Sequence, residues 1–508
     1  MKRIVRRLHG NNRSLYDTHG VPSLKSPFIF GAHAGGVRWT RCDRRLMNQS
    51  RSLRNIAARW CLAASIVLPL AGCVSYREKP LGTDATRPAT PLYVDAATMP
   101  LPALRQHRFD PSDGLDQTEV AMLAVANNPD LRLLRDDLGI QRAQAFAASL
   151  LPDPQISFGQ DFPVGSGPGL VNAFTAGITQ DISALLMRSS TLQASRRDTQ
   201  KLELDELWAE WQTVAQARAL FNQVRADQKL LQELQGLLPD RDQLRQSIQG
   251  QLRAGNLTSD VASGPLLAIA DLQRQIDDTA QKLNLERHTL NLLLGLDERT
   301  QLQLVDDPAP MAAERVTPTD IDQRLAALPE RRPDLLALRI GYQAQEARVR
   351  QAVLKQFPAL SFGVSYARDT SNITTRGYSF GLTLPLFDRG RGAIAIETAT
   401  RQRLFDEYQS RLAAARSEVD RVRVDLPDLI RRTQQAESDA QRLRLEQQAA
   451  TQSFAEGMLD WNAYVTLSTA SVARRMEAVQ LALTLQEQQD MLLTLLGSEL
   501  PMSPETLR

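Results

Sequence analysis

Residues 357–392 read FPALSFGVSYARDTSNITTRGYSFGLTLPLFDRGRG. Two runs within this stretch alternate. Leu360, Phe362, Val364 and Tyr366 fall on one side, and Ser361, Gly363, Ser365 and Ala367 on the other. Beyond the polar segment Asp369 to Arg376, Tyr378, Phe380, Leu382 and Leu384 share a face against Gly377, Ser379, Gly381 and Thr383. Successive side chains of a strand point to opposite faces, so each run specifies one oily face and one small, polar face. The stretch predicts a β-hairpin with strands near 359–368 and 377–386. The surrounding chain is rich in Ala, Leu, Gln and Arg and poor in aromatics, a composition suited to long helices.

A second alternating pair lies upstream. Ile156, Phe158 and Phe162 alternate with Ser157, Gly159 and Asp161; Phe174, Ala176, Ile178 and Ile182 alternate with Thr175, Gly177, Thr179 and Asp181. These predict strands near 154–162 and 171–182. Asp161 and Asp181 fall on the small-residue side, where they either line a pore or, for Asp181, cap the following helix. Upstream, Asp116 to Leu150 reads as helix, with Thr118 as a cap and Asp130 capping a new start after Pro129. Ala184 to Gln235 contains neither Pro nor Gly. As a helix it would be roughly 78 Å long, which suggests a bundle or coiled-coil element. Gly236-Leu237-Leu238-Pro239-Asp240 reads as its terminating turn, followed by a second helix from Arg241 to Leu294 that ends at Gly295. That second helix has weak points at Ala254–Asn256 and Gly264-Pro265.

The programme then repeats. Arg332-Pro333-Asp334-Leu335 stands 204 residues after Asn128-Pro129-Asp130-Leu131, and Leu360-Ser361-Phe362-Gly363 stands 204 after Ile156-Ser157-Phe158-Gly159. Ala455-Glu456-Gly457-Met458-Leu459 stands 202 after Arg253-Ala254-Gly255-Asn256-Leu257, and the Leu-rich run ending at Gly497 stands 202 after the one ending at Gly295. Landmarks in one order at a nearly constant offset mark an internal duplication. Pro427 has no counterpart in the first half and is expected to kink or shorten its helix. The second helix turn lacks a Gly-Pro signal; repeat alignment puts it near Glu437 to Gln441.

The 508 residues suffice for two or three domains, and no run approaches the ~20 apolar residues of a spanning helix. Arg51, Arg54 and Arg59 precede the apolar run Cys61 to Leu70, followed by Leu70-Ala71-Gly72-Cys73. This resembles a bacterial lipoprotein signal, which implies cleavage before Cys73 and diacylglycerol and N-acyl (palmitate) groups on that Cys; the alternative is an ordinary secretory signal. Val74, rather than Asp, favours outer-membrane sorting by the same resemblance. A signal of ordinary length starts at Met47, so residues 1–46 are expected to be an upstream start and 1–72 a leader. Residues 1–72 carry 13 Lys/Arg and 2 Asp/Glu, which turns the overall +2 into −9 for the rest. No basic patch is left for nucleic acid. Cys73 is then the one remaining cysteine, so no disulfide framework forms. Only His107 and His288 remain among the histidines, which argues against a His-based metal or catalytic centre, and His288 reads as packed or surface.

Each half is helix, hairpin, then two long helices. Four strands cannot close a barrel, and lipid forbids unpaired edges, so either the hairpins are soluble or several chains share one barrel. The paired order, the Asn-Pro-Asp-Leu and Arg-Pro-Asp-Leu starts, Leu384-Pro385-Leu386-Phe387-Asp388-Arg389-Gly390, Gly255, Gly457 and the two Leu-rich ends together resemble the TolC family of outer-membrane efflux channels. The resemblance spans about 115–500. It implies a mainly α fold with a membrane β-barrel part: long antiparallel helices forming a periplasmic α-barrel, and four strands per chain in a homotrimeric 12-stranded barrel. The implied partners are a periplasmic adaptor, an inner-membrane pump of RND type and outer-membrane lipid; no cofactor beyond the Cys73 lipid is implied. The expected layout is an extended anchored segment at 73–115, a first repeat at 116–297, a connector at 298–330, a second repeat at 331–498 and a tail at 499–508.

On this reading Ser361, Gly363, Ser379 and Thr383 line the pore while Phe, Tyr and Leu meet lipid. Asp240 and Asp242 at the first helix turn and Asp439 near the second admit two readings: solvated turn and cap residues, or carboxylate rings that gate a trimeric entrance and favour cations. The turns at Gln235–Arg241 and Ala436–Arg442 are the expected docking surface for the adaptor. The favoured function is a passive exit duct of a tripartite pump for drugs or heavy-metal ions. The alternatives are the outer-membrane part of a type I secretion system or a structural envelope lipoprotein. No nucleophile–base constellation supports an enzyme.

Overall fold

A computed structural model describes residues 76–82, 93–165, 167–306 and 318–498. The chain divides into two units, 1–84 and 85–508. In the first, residues 76–82 are exposed and without regular structure. The expectations for the leader, Cys73 and the tail lie outside the described residues. In the second unit the elements run α1 (Pro102–Gln106), α2 (Gln117–Asn127), α3 (Pro129–Ser149), β1 (Gln155–Asp161), β2 (Ala173–Asp181), α4 (Ile182–Gly236), α5 (Leu238–Arg253), α6 (Ser259–Leu293), α7 (Pro318–Ala326), α8 (Leu328–Arg331), α9 (Pro333–Leu354), β3 (Ala359–Arg368), β4 (Thr374–Thr383), α10 (Arg391–Ala455) and α11 (Trp461–Leu496). No described helix is long and apolar enough to cross a membrane.

The duplication is visible in the backbone. Four helices end with an αL glycine in the same hydrogen-bonded turn, at Gly255, Gly295, Gly457 and Gly497. In each, the glycine N–H and the next N–H fold back onto carbonyls of the last turn: Gly255 to Leu252 and Asn256 to Gln251, Gly457 to Phe454 and Met458 to Ser453. This geometry satisfies orphan carbonyls and requires positive φ, which glycine adopts without a Cβ penalty.

The helix starts differ from the expected ones in their capping side chains. Asp116, not Thr118, caps α2 and forms a reciprocal box with Glu119. Asn128, not Asp130, caps α3, accepting from Asp130 N and Leu131 N, while its Nδ2 donates to Leu293 O at 3.1 Å. Asn128 thus ties the start of the repeat to the end of its last helix. In the second half Arg332 occupies the equivalent place and works through charge. Its fully buried guanidinium holds Asp334 at 3.0 and 2.7 Å and lies 4.8 Å over the Trp208 ring. Asp334 also accepts from Arg411 at 2.8 Å, so its carboxyl stays below the usual range despite burial.

Helix α4 is the spine. Leu204, Leu207, Trp211, Val214, Ala217, Phe221, Val224, Asp227, Leu230 and Leu234 are buried along it at spacings of three and four. That average falls below 3.6, so the stripe winds around the helix as in a coiled coil. Arg135 of α3 reaches Glu206 and Glu210, Gln351 of α9 reaches Thr191, and Trp211 Nε1 donates to Thr494 O of α11 at 3.1 Å. The two halves are therefore joined through α4.

The helix turns lie elsewhere than expected. At Leu237 the backbone stays in αR (φ −86, ψ −9), and Pro239 sits in the first turn of α5, where its missing N–H has no helical partner to lose. Asp227 pairs with Lys282, Arg241 donates to Ala268 O, and Ile248 clusters with Ala262. The pairing with α6 thus runs unbroken past Leu237, and the chain reverses only at Gly255. In the second half α10 continues through Pro427 and through 437–441, and the reversal is at Gly457. Pro265 likewise lies inside α6. Strand β4 begins at Thr374, so the loop is shorter than the alternation suggested.

Two expected outcomes follow from these contacts. A Cβ at Gly295 would collide with the Asn127 carbonyl, whereas Gly255 has open space around it. Gly295→Ala therefore lowers the thermal midpoint more than Gly255→Ala, whose cost is the αL conformation alone, about 1–2 kcal/mol. The second concerns Glu286, which shares Lys282 with the buried Asp227 at 3.5 and 2.8 Å. Burial, then the Asp227 charge, raises the Glu286 carboxyl from 4.5 to about 7 against the pull of Lys282. The folded state then binds more protons than the unfolded one between those values, so Glu286 makes stability fall as pH rises through that window. In detergent, Glu286→Gln should flatten the decline of the denaturation midpoint between about pH 4.5 and pH 7. An unchanged slope would remove Glu286 as its source.

Candidate functional site

The four strands form one antiparallel sheet in the order β1-β2-β3-β4. Its register sorts side chains into two sets of ladders. Ile156, Ile178, Val364 and Tyr378 stand in one row; Ser157, Gly177, Ser365 and Gly377 stand in the next, on the opposite face. Thr179, Gly363 and Ser379 form another small row, and Asp181, Ser361 and Gly381 another. The four pore-lining candidates, Ser361, Gly363, Ser379 and Thr383, therefore share one face with Gly377 and Gly381. That face is tightly built. A Cβ at Gly363 would come within 2.8 Å of Ser379 Oγ and 2.9 Å of Thr179 Oγ1, so the hydroxyls occupy the space that glycine leaves. Thr383 is exposed opposite Ala359.

On the other face Ile156, Phe158, Ile178, Phe362, Val364, Tyr366, Tyr378, Phe380 and Leu382 are exposed. Phe362 and Phe380 pair at 5.2 Å, and Phe174 and Tyr366 at 5.7 Å. An oily face of this extent on a described surface calls for an apolar environment. Strands β1 and β4 each have one edge without a strand partner among the described residues. Asp161 lies at the loop end of the small-residue face, opposite Ala173. Asp181 is at the helix end and caps α4, accepting from Ala184 N at 2.9 Å. Of its two expected roles, the structure realises the cap.

The gate candidates do not sit at turns. Asp242 is on α5, roughly 20 Å along the helix from Gly255, and pairs with Arg245 at 2.9 Å. Asp439 is inside α10, roughly 27 Å from Gly457, and pairs with Arg442 at 2.8 Å. Asp240 belongs to α5 as well. The expected docking segments 235–241 and 436–442 are likewise mid-helix. The actual tips are Ala254–Thr258 and Glu456–Asp460, backed by one joint cluster. Leu244, Ile248, Ala262, Ala450 and Tyr464 are buried there, Phe454 stacks with Tyr464 at 4.7 Å and meets Trp461 edge-on at 4.8 Å, and Met458 is exposed. The sequence carries a signal for these tips: an αL-prone glycine followed three residues later by Thr258 or Asp460 at a helix start.

No family model matches the chain. It is 26% identical over 275 residues to the pyoverdine export outer membrane protein OpmQ of Pseudomonas putida, a match covering 53% of this chain and 56% of that protein. It is 24% identical over 432 residues to the putative multidrug resistance outer membrane protein MdtQ of Shigella flexneri, covering 74% of this chain and 85% of that one. Among solved structures, the Campylobacter jejuni CmeC outer membrane channel superposes with a TM-score of 0.64 at 15% identity, over 84% of this chain and 96% of that one. The duplicated helical scaffold with its two-faced four-stranded sheet is thus similar in fold to outer-membrane channels such as CmeC, and the sequence is similar to the outer membrane proteins OpmQ and MdtQ.

Proposed function

We propose that the chain is the outer-membrane exit duct of an efflux assembly, conducting solutes passively from the periplasm to the exterior. The observation that carries this reading is the sheet: oily on one face, small and polar on the other, with two edges that have no strand partner among the described residues. In lipid those edge N–H and C=O groups need partners, and antiparallel strands allow β4 of one copy to pair with β1 of the next. Three copies give a closed 12-stranded barrel, with the Ser, Gly and Thr rows as its aqueous lining. Below it, α4 with α5 and the roughly 100 Å α10 would form the wall of a periplasmic tunnel. Acylation at Cys73 would add a lipid anchor.

The duct itself consumes nothing, so the driving force comes from an inner-membrane pump, of RND type on this reading, joined by a periplasmic adaptor. The adaptor's docking surface is assigned to the tips at Ala254–Thr258 and Glu456–Asp460, where exposed Met458 and the aromatic cluster behind it offer an apolar contact. Relatives named for pyoverdine export and multidrug resistance support small organic solutes as the cargo class.

Planar-bilayer recordings test the duct. The purified protein should require detergent, migrate as a cross-linkable trimer and form conducting pores. A soluble monomer without detergent would sink the reading. Phe362→Arg places a charge against lipid, at a cost of about 2–4 kcal/mol at mid-depth and less toward either rim. It should abolish assembly in membranes. Thr383→Arg on the lumen side should assemble and shift conductance toward anions. The reverse pattern would invert the assignment of faces.

A further inference from the structure

The oily face of the sheet is interrupted at one end by two arginines. Arg368 closes β3 and stands opposite Thr374; Arg376 stands opposite Tyr366. They are diagonal neighbours on one face, with Cβ atoms on the order of 7–8 Å apart. Both belong to the lipid-facing set, because each lies over a ring of that face. The Arg368 guanidinium is 5.4 Å from the Phe174 ring, and that of Arg376 is 5.8 Å from the Tyr366 ring. The two rings meet each other, so Arg368, Phe174, Tyr366 and Arg376 form one continuous patch. It sits at the loop end of the strands, away from Asp181 and the helices.

Neither arginine has a carboxylate partner among the described residues. Both strand carboxylates, Asp161 and Asp181, project to the opposite face by register. Asp369, in the adjoining loop, is turned inward and accepts from Ser371 N and Ile373 N at 2.9 Å. Arg368 makes one long hydrogen bond, from Nη2 to Asn172 O at 3.3 Å, and its Nε is buried without a partner. A second copy pairing along β4 would bring the oily side of β1 to this face, namely Ile156, Phe158 and Gln160, which has no acid. Arg368 is half-buried and Arg376 exposed. With the oily face in lipid, both guanidiniums at the rim of the apolar band need anionic charge, and the described residues supply none there.

We propose that Arg368 and Arg376 form a binding site for the phosphorylated headgroup of an outer-leaflet lipid, which the barrel holds against its outer rim. The reading rests on the oily face meeting lipid, as above. Paired guanidinium forks match phosphate oxygens, and the rings beneath orient the forks and cover the first part of the acyl region. A bound lipid of this kind would set the depth of the barrel in the bilayer.

Full-length protein in phosphatidylcholine nanodiscs doped with bisphosphorylated or dephosphorylated lipid A tests this by native mass spectrometry. Wild type should retain the phosphorylated form about ten-fold better, the ratio expected from one or two charge-assisted contacts. Arg368→Gln with Arg376→Gln should abolish the preference, while Arg368→Lys with Arg376→Lys should keep most of it and so separate charge from folding. Equal retention of both lipids by wild type, an unaltered preference in the Gln pair, or displacement by inorganic phosphate alone would overturn the proposal. Failure of wild type to enter the nanodisc would overturn the membrane reading, and this site with it.

Discussion

The structure depends on one constraint of β-structure. A sheet of four strands leaves two edges of unpaired backbone groups, and this sheet also exposes its oily face. In water the oily face is unfavourable; in lipid the edges are. Only closure with further strands relieves both at once. Strands without a core of their own also need a rigid base. Asp181 passes β2 directly into α4, and a short segment passes β4 into α10, so each hairpin stands on a helix that is buried against its neighbours further down.

The two halves solve the same local problem with different chemistry. Both begin with Pro at the first helical position and an acid behind it, and both end in an αL glycine turn. The first half closes its repeat with a neutral side chain, Asn128, between a helix start and the carbonyl of Leu293. The second uses Arg332, buried between Asp334, the Trp208 ring and, at 3.7 Å, Glu418. A fully buried charge is tolerable only with its counter-charges fixed, so Arg332 specifies one arrangement of α9, α10 and α4 at a desolvation cost Asn128 avoids. The descending wall is also asymmetric, hitched at Leu237 in the first half and continuous through Pro427 in the second.

Much of the sheet was legible in sequence. Period-two alternation gave the faces, and Ser361, Gly363, Ser379 and Thr383 do share one side. The turns were misjudged for a physical reason. Pro239 and Gly236 look like helix breakers, yet Pro costs little in a first turn and Gly about 1 kcal/mol in a helix. Against that stands the continuous packing of α4 and α5 on α6, through Leu230, Leu234, Leu272 and Ile276 and on to Ile248 and Ala262. Packing summed over many turns outweighs one poor residue, and so the chain reverses at Gly255, where an αL backbone is demanded. Asp242 and Asp439 moved from tips to helix flanks with that shift.

By itself, the sequence determined the local periodicities: two hairpins with opposed faces, helices too long for a compact domain, and a duplication carried by matched caps and glycines. These follow from neighbouring residues, because backbone geometry converts spacing directly into facing. Tertiary structure alone decided where the helices reverse, which side chains close each repeat, and that Arg368 and Arg376 stand together on the oily face beyond reach of any carboxylate described. Those outcomes depend on which distant segments pair and in what register. A shift of one residue along a strand would have sent both arginines to the other face, and only the summed energy of the ladders and helix contacts excludes it.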